Sequence, residues 1–217
     1  MITEHISTPH QSSRENHLPE LIVLHITDGT YAGTKAWFTH AASQVSAHYI
    51  VARDGCICQC VPLDKMAWCN GTGSGDKSPC LSTAALVRKL GGNANQYSVS
   101  IECEGIWRDT QGALTDAQLD ALVWLIPHIQ KEIQQLYQHL IPMDRQHIVG
   151  HHEITPRTRP HCPGEKFPWD TLMARLGTEV FYRVQIGAFA DPANAQALAA
   201  EIRGKGYPAF VTPPLNN

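Results

Sequence analysis

The sequence predicts an α/β domain in which a central mixed β-sheet is flanked by helices, followed by a truncated β-α-β tail. Three observations predict it. The run Leu21-Ile22-Val23-Leu24 is continuously apolar, as a strand buried on both faces is. His48-Tyr49-Ile50-Val51 alternates into Asp54-Gly55, a tight-turn dipeptide, and returns over Cys56 to Val61, which predicts a hairpin. Thr115 to Leu140 carries Leu119, Leu122, Val123, Ile126, Ile129, Ile133 and Leu136 as one helical stripe, opened by a Thr115/Gln118 capping box and kinked at Pro127. With 217 residues, the chain has room for one full domain and a small remainder.

In chain order, residues 1–17 are polar and without period, which predicts a flexible lead-in. Thr34 is the expected cap of a short helix over Lys35-Ala36-Trp37-Phe38. Cys56, Cys58 and Cys60 share one face of the returning strand; small buried thiols explain them more simply than a metal cluster does. From Trp68 to about Tyr97 the chain reads as a Gly- and Ser-rich loop, either a groove wall or a surface insertion. Tyr97 to Cys103 alternates as a strand that delivers Glu102 and Glu104 to one side. A last helix runs from Pro168 to Leu176 and stops at Gly177. The domain therefore spans residues 18–177.

The balance of 17 basic and 20 acidic residues gives a net charge of −3. That excludes a basic face for nucleic acid or an anionic membrane and favours a polar, uncharged substrate. Seven cysteines are an odd number without a disulfide framework, so they read as reduced thiols of a chain made in the cytosol. The first residues lack the apolar core of a signal peptide, and no run is long enough to span a bilayer. An oligomeric state is not legible.

The chemistry concentrates in GHHEITPRTRPHCPG, residues 150–164, a segment stiffened by Pro156, Pro160 and Pro163 after the apolar pair Ile148-Val149. His151 and Cys162 are two of the three protein ligands of an open tetrahedral zinc site, and His25, which ends the first apolar run, supplies the third. The spacing alone is equally that of an ordinary histidine-rich loop.

Four ordered blocks, LIVLHITDGT, SQVSAHYIVARDG, YSVSIECEG and GHHEITPRTRPHCPG, resemble the type-2 family of zinc-dependent N-acetylmuramoyl-L-alanine amidases, which includes phage-lysozyme-type enzymes and peptidoglycan recognition proteins. The likeness covers residues 18–176. It implies one Zn2+ held by His25, His151 and Cys162, a peptidoglycan substrate, and Glu102 as general acid/base. It aligns Arg159 with a lysine common in the family, here a permanent cation able to stabilise an oxyanion. Trp68 and His161 become substrate contacts, with His161 the reserve ligand. His152 is expected to point away from His151, and His48 to make a structural hydrogen bond.

Residues 181–212 resemble the first half of a sporulation-related (SPOR) repeat, a glycan-binding module. Val184, Ile186 and Ala188 read as a strand, Ala195, Leu198, Ala199 and Ile202 as a helix face, and Tyr207 to Val211 as extended chain. So short a piece is expected to dock, to pair with another copy or to stay loosely ordered. The wall lies outside the membrane, so an enzyme without a signal peptide reaches it after release or lysis. Two other classes compete: a peptidoglycan-binding module without hydrolysis, and a glycosidase using Glu102 and Glu104 as its carboxylate pair.

Overall fold

A computed structural model describes residues 2–177, 187–207 and 209–211, which fall in two compact units, Met1–Thr178 and Glu179–Asn217. The first unit runs β1 (Ile2–His5), β2 (Gln11–Ser13), β3 (Leu21–Ile26), α1 (Tyr31–Thr39), β4 (Tyr49–Val51), β5 (Ile57–Gln59), β6 (Lys65–Ala67), α2 (Ala85–Leu90), β7 (Ser98–Cys103), α3 (Trp107–Thr110), α4 (Asp116–Tyr137), β8 (Ile148–Gly150), α5 (His151–Ile154) and α6 (Trp169–Leu176). The second contains α7 (Pro192–Gly204).

Six strands form a mixed sheet in the order β1-β5-β4-β7-β3-β8, so the predicted fold class holds. β3 lies between β7 and β8, parallel to both, and its run LIVLHI is buried from Leu21 to His25 because both neighbours and both faces cover it. The Asp54-Gly55 hairpin pairs β4 and β5 antiparallel, with Val51 opposite Ile57.

One face of the sheet, presenting Ile22, Leu24, Val99 and Ile101, packs on α4 and α6 through Leu122, Leu125, Ile126, Ile129, Ile133, Leu172 and Leu176. Each such side chain contributes about 1.5–3 kcal/mol on burial. The Thr115/Gln118 capping box opens α4 and Pro127 lies within it. Leu136, expected in the stripe, is instead 55 % exposed: it lies in the last turn of the helix, which ends at Tyr137. The opposite face is divided between two smaller clusters, one around Leu21, Val23 and Val87, the other around Phe38, Ile50, Cys58 and Cys60. Cys58 and Cys60 are thus packing thiols, and their sulfurs lie 4.0 Å apart.

Several expectations need correcting. Residues 2–17 are not a flexible lead-in. β1 pairs in parallel with β5, β2 pairs with β6, and between them and β3 the side chain of Arg14 is buried. Its Nε donates to the Leu63 carbonyl and its Nη1 to those of Gln96 and Ser98, so a polar segment is fixed by long-range bonds that leave no periodic signature. Helix α1 begins four residues before the predicted start, because Thr30 rather than Thr34 accepts the N-cap bond, from Gly33 N–H at 3.1 Å. The stretch from Trp68 to Tyr97 is not a plain loop: it contains two 3-10 turns, Gly75–Lys77 and Pro79–Leu81, and α2. Glu104 lies beyond β7, where the chain has left the two-residue alternation that would have set it beside Glu102.

In the second unit, Asp191 caps α7 by accepting from Ala193 N–H at 2.9 Å. The four predicted face positions, Ala195, Leu198, Ala199 and Ile202, are the helix residues not fully exposed. Val184 and Ile186 lie outside the described residues; Ala188, Tyr207 and 209–211 are described and belong to no strand.

Candidate metal centre and its cleft

The parallel register builds the site. His25 pairs with Glu102 across β3 and β7, and Leu24 pairs with Gly150 across β3 and β8. His25, Glu102 and His151 therefore emerge side by side at the carboxyl ends of three adjacent strands, where open α/β sheets place their ligands. His25 shares a sheet face with Leu21 and Val23, and Glu102 one with Ser98 and Ser100, opposite the face packed on α4.

Cys162 arrives on the loop after α5. The chain turns helical at His151, so His152 does not follow a strand direction. Its backbone N–H and its Nδ1 both donate to the Cys162 carbonyl, at 2.8 and 2.9 Å, which clamps the loop onto α5. On its other side the loop meets the turn after α3 backbone to backbone: a Cβ on Gly164 would stand 2.2 Å from the Gln111 carbonyl oxygen, and Gly164 has φ +131°, so only glycine fits.

The outcome is a triangle. One donor atom each from His25, His151 and Cys162 lie within 4.8 Å of one another, His25 Nδ1 to Cys162 Sγ being 3.8 Å. The two imidazole rings meet edge to face with centroids 4.5 Å apart. Glu102 Oε1 lies 3.8 Å from His25 Nδ1, and its Oε2 is buried without a partner.

Electrostatics suit a cation at the centre. Burial drives the His25 pKa down to about 3, opposed by the nearby Asn70 amide and helped by Arg159, and burial with the neighbouring His25 takes His151 well below its ordinary value. Both rings are therefore neutral, the form that ligates. Burial, then the Glu102 carboxyl, raises Cys162 to about 12, and burial raises Glu102 to about 8 against the pull of Arg159. The 3.8 Å His25–Glu102 approach is accordingly no ion pair at neutral pH. Two neutral imidazoles and a thiol that ionises readily only beside a positive charge fit a divalent metal of the zinc type.

These groups open into a cleft of about 1060 Å³ that Trp68, Arg159 and His161 also line. Trp68 donates from Nε1 to Ser12 Oγ at 3.0 Å, while Arg159 and His161 are exposed. His161 bonds Glu165 at 2.6 Å and is outside the triangle. Glu104 accepts the N–H groups of Tyr31 and Arg53, both at 2.8 Å, so its oxygens are occupied by backbone and the paired-carboxylate arrangement of a glycosidase does not form.

Asn70 was not singled out by the sequence. It is fully buried, and its Nδ2 donates to Ser98 Oγ and Ser100 Oγ at 2.9 and 2.8 Å. That fixes the amide, whose Oδ1 has no further partner, as His25 Nε2 has none. Nothing in the AWCNGTG string marks Asn70; only the register of β7 does.

A family model described as N-acetylmuramoyl-L-alanine amidase matches residues 15–165, and a SPOR domain model matches residues 178–217. The 1,6-anhydro-N-acetylmuramyl-L-alanine amidase AmpD of Enterobacter cloacae is 30% identical over 193 residues, 80% of this chain and 90% of that protein. The N-acetylmuramoyl-L-alanine amidase A of Achromobacter lyticus is 27% identical over 160 residues, 68% of this chain and 77% of that one. Among solved structures, an AmpD derivative aligns with TM-score 0.57 and 28% identity over 82% of this chain and 94% of its own. AmpDh3 from Pseudomonas aeruginosa, solved with an anhydromuramic pentapeptide, aligns with TM-score 0.52 and 26% identity over 97% of this chain and 72% of its own.

Proposed function

Since the chain belongs to the N-acetylmuramoyl-L-alanine amidase family, we propose that His25, His151 and Cys162 hold one zinc ion and that Glu102 and Arg159 work on the amide bond beside it. The chain is a peptidoglycan amidase, cutting the bond between N-acetylmuramic acid and L-alanine. The observation that supports the zinc reading is the triangle of two neutral imidazoles and a thiol within 4.8 Å. When bound there, zinc supplies Lewis acidity toward water and toward the scissile carbonyl.

The chain's own groups supply the rest. Glu102, which lines the cleft and has an oxygen without a partner, takes a proton from the attacking water and passes it to the departing alanine nitrogen. Without a metal, burial raises its pKa to about 8 against the pull of Arg159; a cation held beside it would favour the ionised form that accepts the proton. The guanidinium of Arg159 stabilises the negative oxygen that develops on the carbonyl. Trp68, anchored by Ser12, gives the substrate a rigid apolar wall.

No described helix is long and apolar enough to cross a membrane. The SPOR segment, a wall-binding type of module, holds the amidase near its substrate once the protein has been released to the wall.

The test is metal content of protein purified without added zinc, with the His151→Ala variant alongside. About one zinc per chain is expected in the wild type and almost none in the variant. Chelation should abolish release of new alanine amino termini, and zinc should restore it. Activity that persists in chelator overturns the reading; new reducing ends would mean a glycosidase, and wall binding without turnover under zinc a binding module.

A further inference from the structure

Next to Cys162 the cleft carries two aromatic rings that the hydrolytic step does not use. Trp107 opens α3, and its backbone N–H donates to Asp28 Oδ1 at 3.0 Å. Its indole Nε1 donates to Glu165 Oε2 at 3.0 Å, while Nδ1 of His161 meets the other oxygen of the same carboxylate at 2.6 Å. The rings of Trp107 and His161 lie 4.6 Å apart at 33°, and both line the cleft with Glu102 and Cys162. One carboxylate thus holds two rings from segments far apart in the chain. Trp107 is held at its backbone N–H and at its single indole N–H yet left partly uncovered, which a tryptophan used only for packing is not.

We propose that Trp107 and His161, held by Glu165, form a platform for the muramoyl sugar ring of the substrate. A pyranose presents a face of C–H groups that packs on an aromatic face, and a ring pair held edge-on by a shared carboxylate is preorganised for it. Charge selects the sugar over the peptide. Asp28 and Glu165 set two carboxylates around the platform, disfavouring a stem peptide that ends in a free carboxylate. The sugar is neutral, since its lactyl carboxyl is consumed in the amide bond, and its hydroxyl and acetamido N–H groups can donate to the Asp28 carboxylate, which lines the cleft. Lys77, on the separate segment between Cys69 and Gln96, offers the cleft a cation for the peptide end. Proximity fits too: His161 precedes Cys162 in the chain, and the sugar is joined to the reacting carbonyl through only the short lactyl ether.

This inference rests on the amidase reading, so its test separates binding from turnover. The probes are N-acetylmuramic acid with its lactyl carboxyl blocked as the methylamide, and a free stem peptide beginning in L-alanine, each titrated by NMR against zinc-loaded wild type, Trp107→Ala, Trp107→Phe and Glu165→Gln. Trp107→Ala should weaken the sugar probe about tenfold, leave the peptide within about twofold, and lower kcat/KM on a muropeptide mainly through KM. Trp107→Phe should restore most of the sugar binding, and Glu165→Gln should fall between. Should Trp107→Ala not fold, the Trp107→Phe and Glu165→Gln titrations decide alone. Unchanged sugar affinity in Trp107→Ala, or in Glu165→Gln where that decides, overturns the platform, and so does a loss confined to the peptide. Wild type that binds the sugar probe but never releases alanine termini would overturn the amidase reading while leaving the platform standing.

Discussion

Two buried histidines show opposite uses of the same side chain. At His48 both ring nitrogens have protein partners: Ser100 N–H donates to Nδ1 at 3.0 Å, and Nε2–H donates to the Lys65 carbonyl at 3.0 Å. The guanidinium of Arg14, itself bonded to three carbonyls, sits 2.9 Å from Nε2 and cannot donate to a nitrogen already carrying its proton. At His25, Nδ1 faces a sulfur and a carboxyl, each 3.8 Å away, and Nε2 has no partner. The two glutamates on either side of Cys103 repeat the contrast: Glu104 is saturated by backbone N–H groups, while Glu102 keeps a buried oxygen bare. Where polar groups satisfy one another they hold the architecture; where several converge unsatisfied they await a ligand.

The largest expected effect separates the glutamates. Glu102→Gln should lower kcat about 10²–10⁴-fold, whereas Glu104→Gln should change it by less than about threefold while costing about 1–3 kcal/mol of stability by weakening two bonds to backbone N–H groups. Equal kcat losses would erase the distinction. Next comes Arg14→Met, which strands three carbonyls and should cost about 3 kcal/mol in urea unfolding; a change below about 0.5 kcal/mol would return residues 2–17 to the lead-in that their composition suggested.

The smallest is a pH effect. Burial, reinforced by the Arg14 charge, lowers the His48 pKa well below its ordinary value. Below about pH 6.5 the unfolded chain binds a proton there that the native fold does not, so this stability is complete above about pH 6.5 and declines as pH falls, by about 1.4 kcal/mol per unit. In chelator-treated protein, the loss between pH 7.5 and 5.5 should exceed that of His48→Gln by about 1 kcal/mol. Equal losses would mean that His48 is protonated in the fold.

What the sequence disclosed follows from which forces leave a local trace. β3 and α4 were legible because burial imposes composition or period on the chain itself, and the capping box of α4 is a four-residue signal. The triangle was named because two of its members end apolar runs and the third sits in a proline-rich loop. Arg14, Asn70 and Trp107 were not legible, since each acquires its meaning from partners dozens of residues away. Thr34 reads as the cap of α1 in the sequence because the apolar pattern starts beside it; Thr30 takes that place because its side chain meets Gly33 N–H. Glu104 was misplaced because strand alternation was carried one step past the end of the strand.

The distance along the chain between His25 and Cys162, 137 residues, has a bearing on how such a protein is made. On the proposed ligand set, no fragment emerging from the ribosome owns all three donors until nearly the whole first unit has been synthesised. Conversely, a cation held by the three donors would tie β3 to the loop after α5, and its affinity would add directly to the free energy that keeps the unit folded.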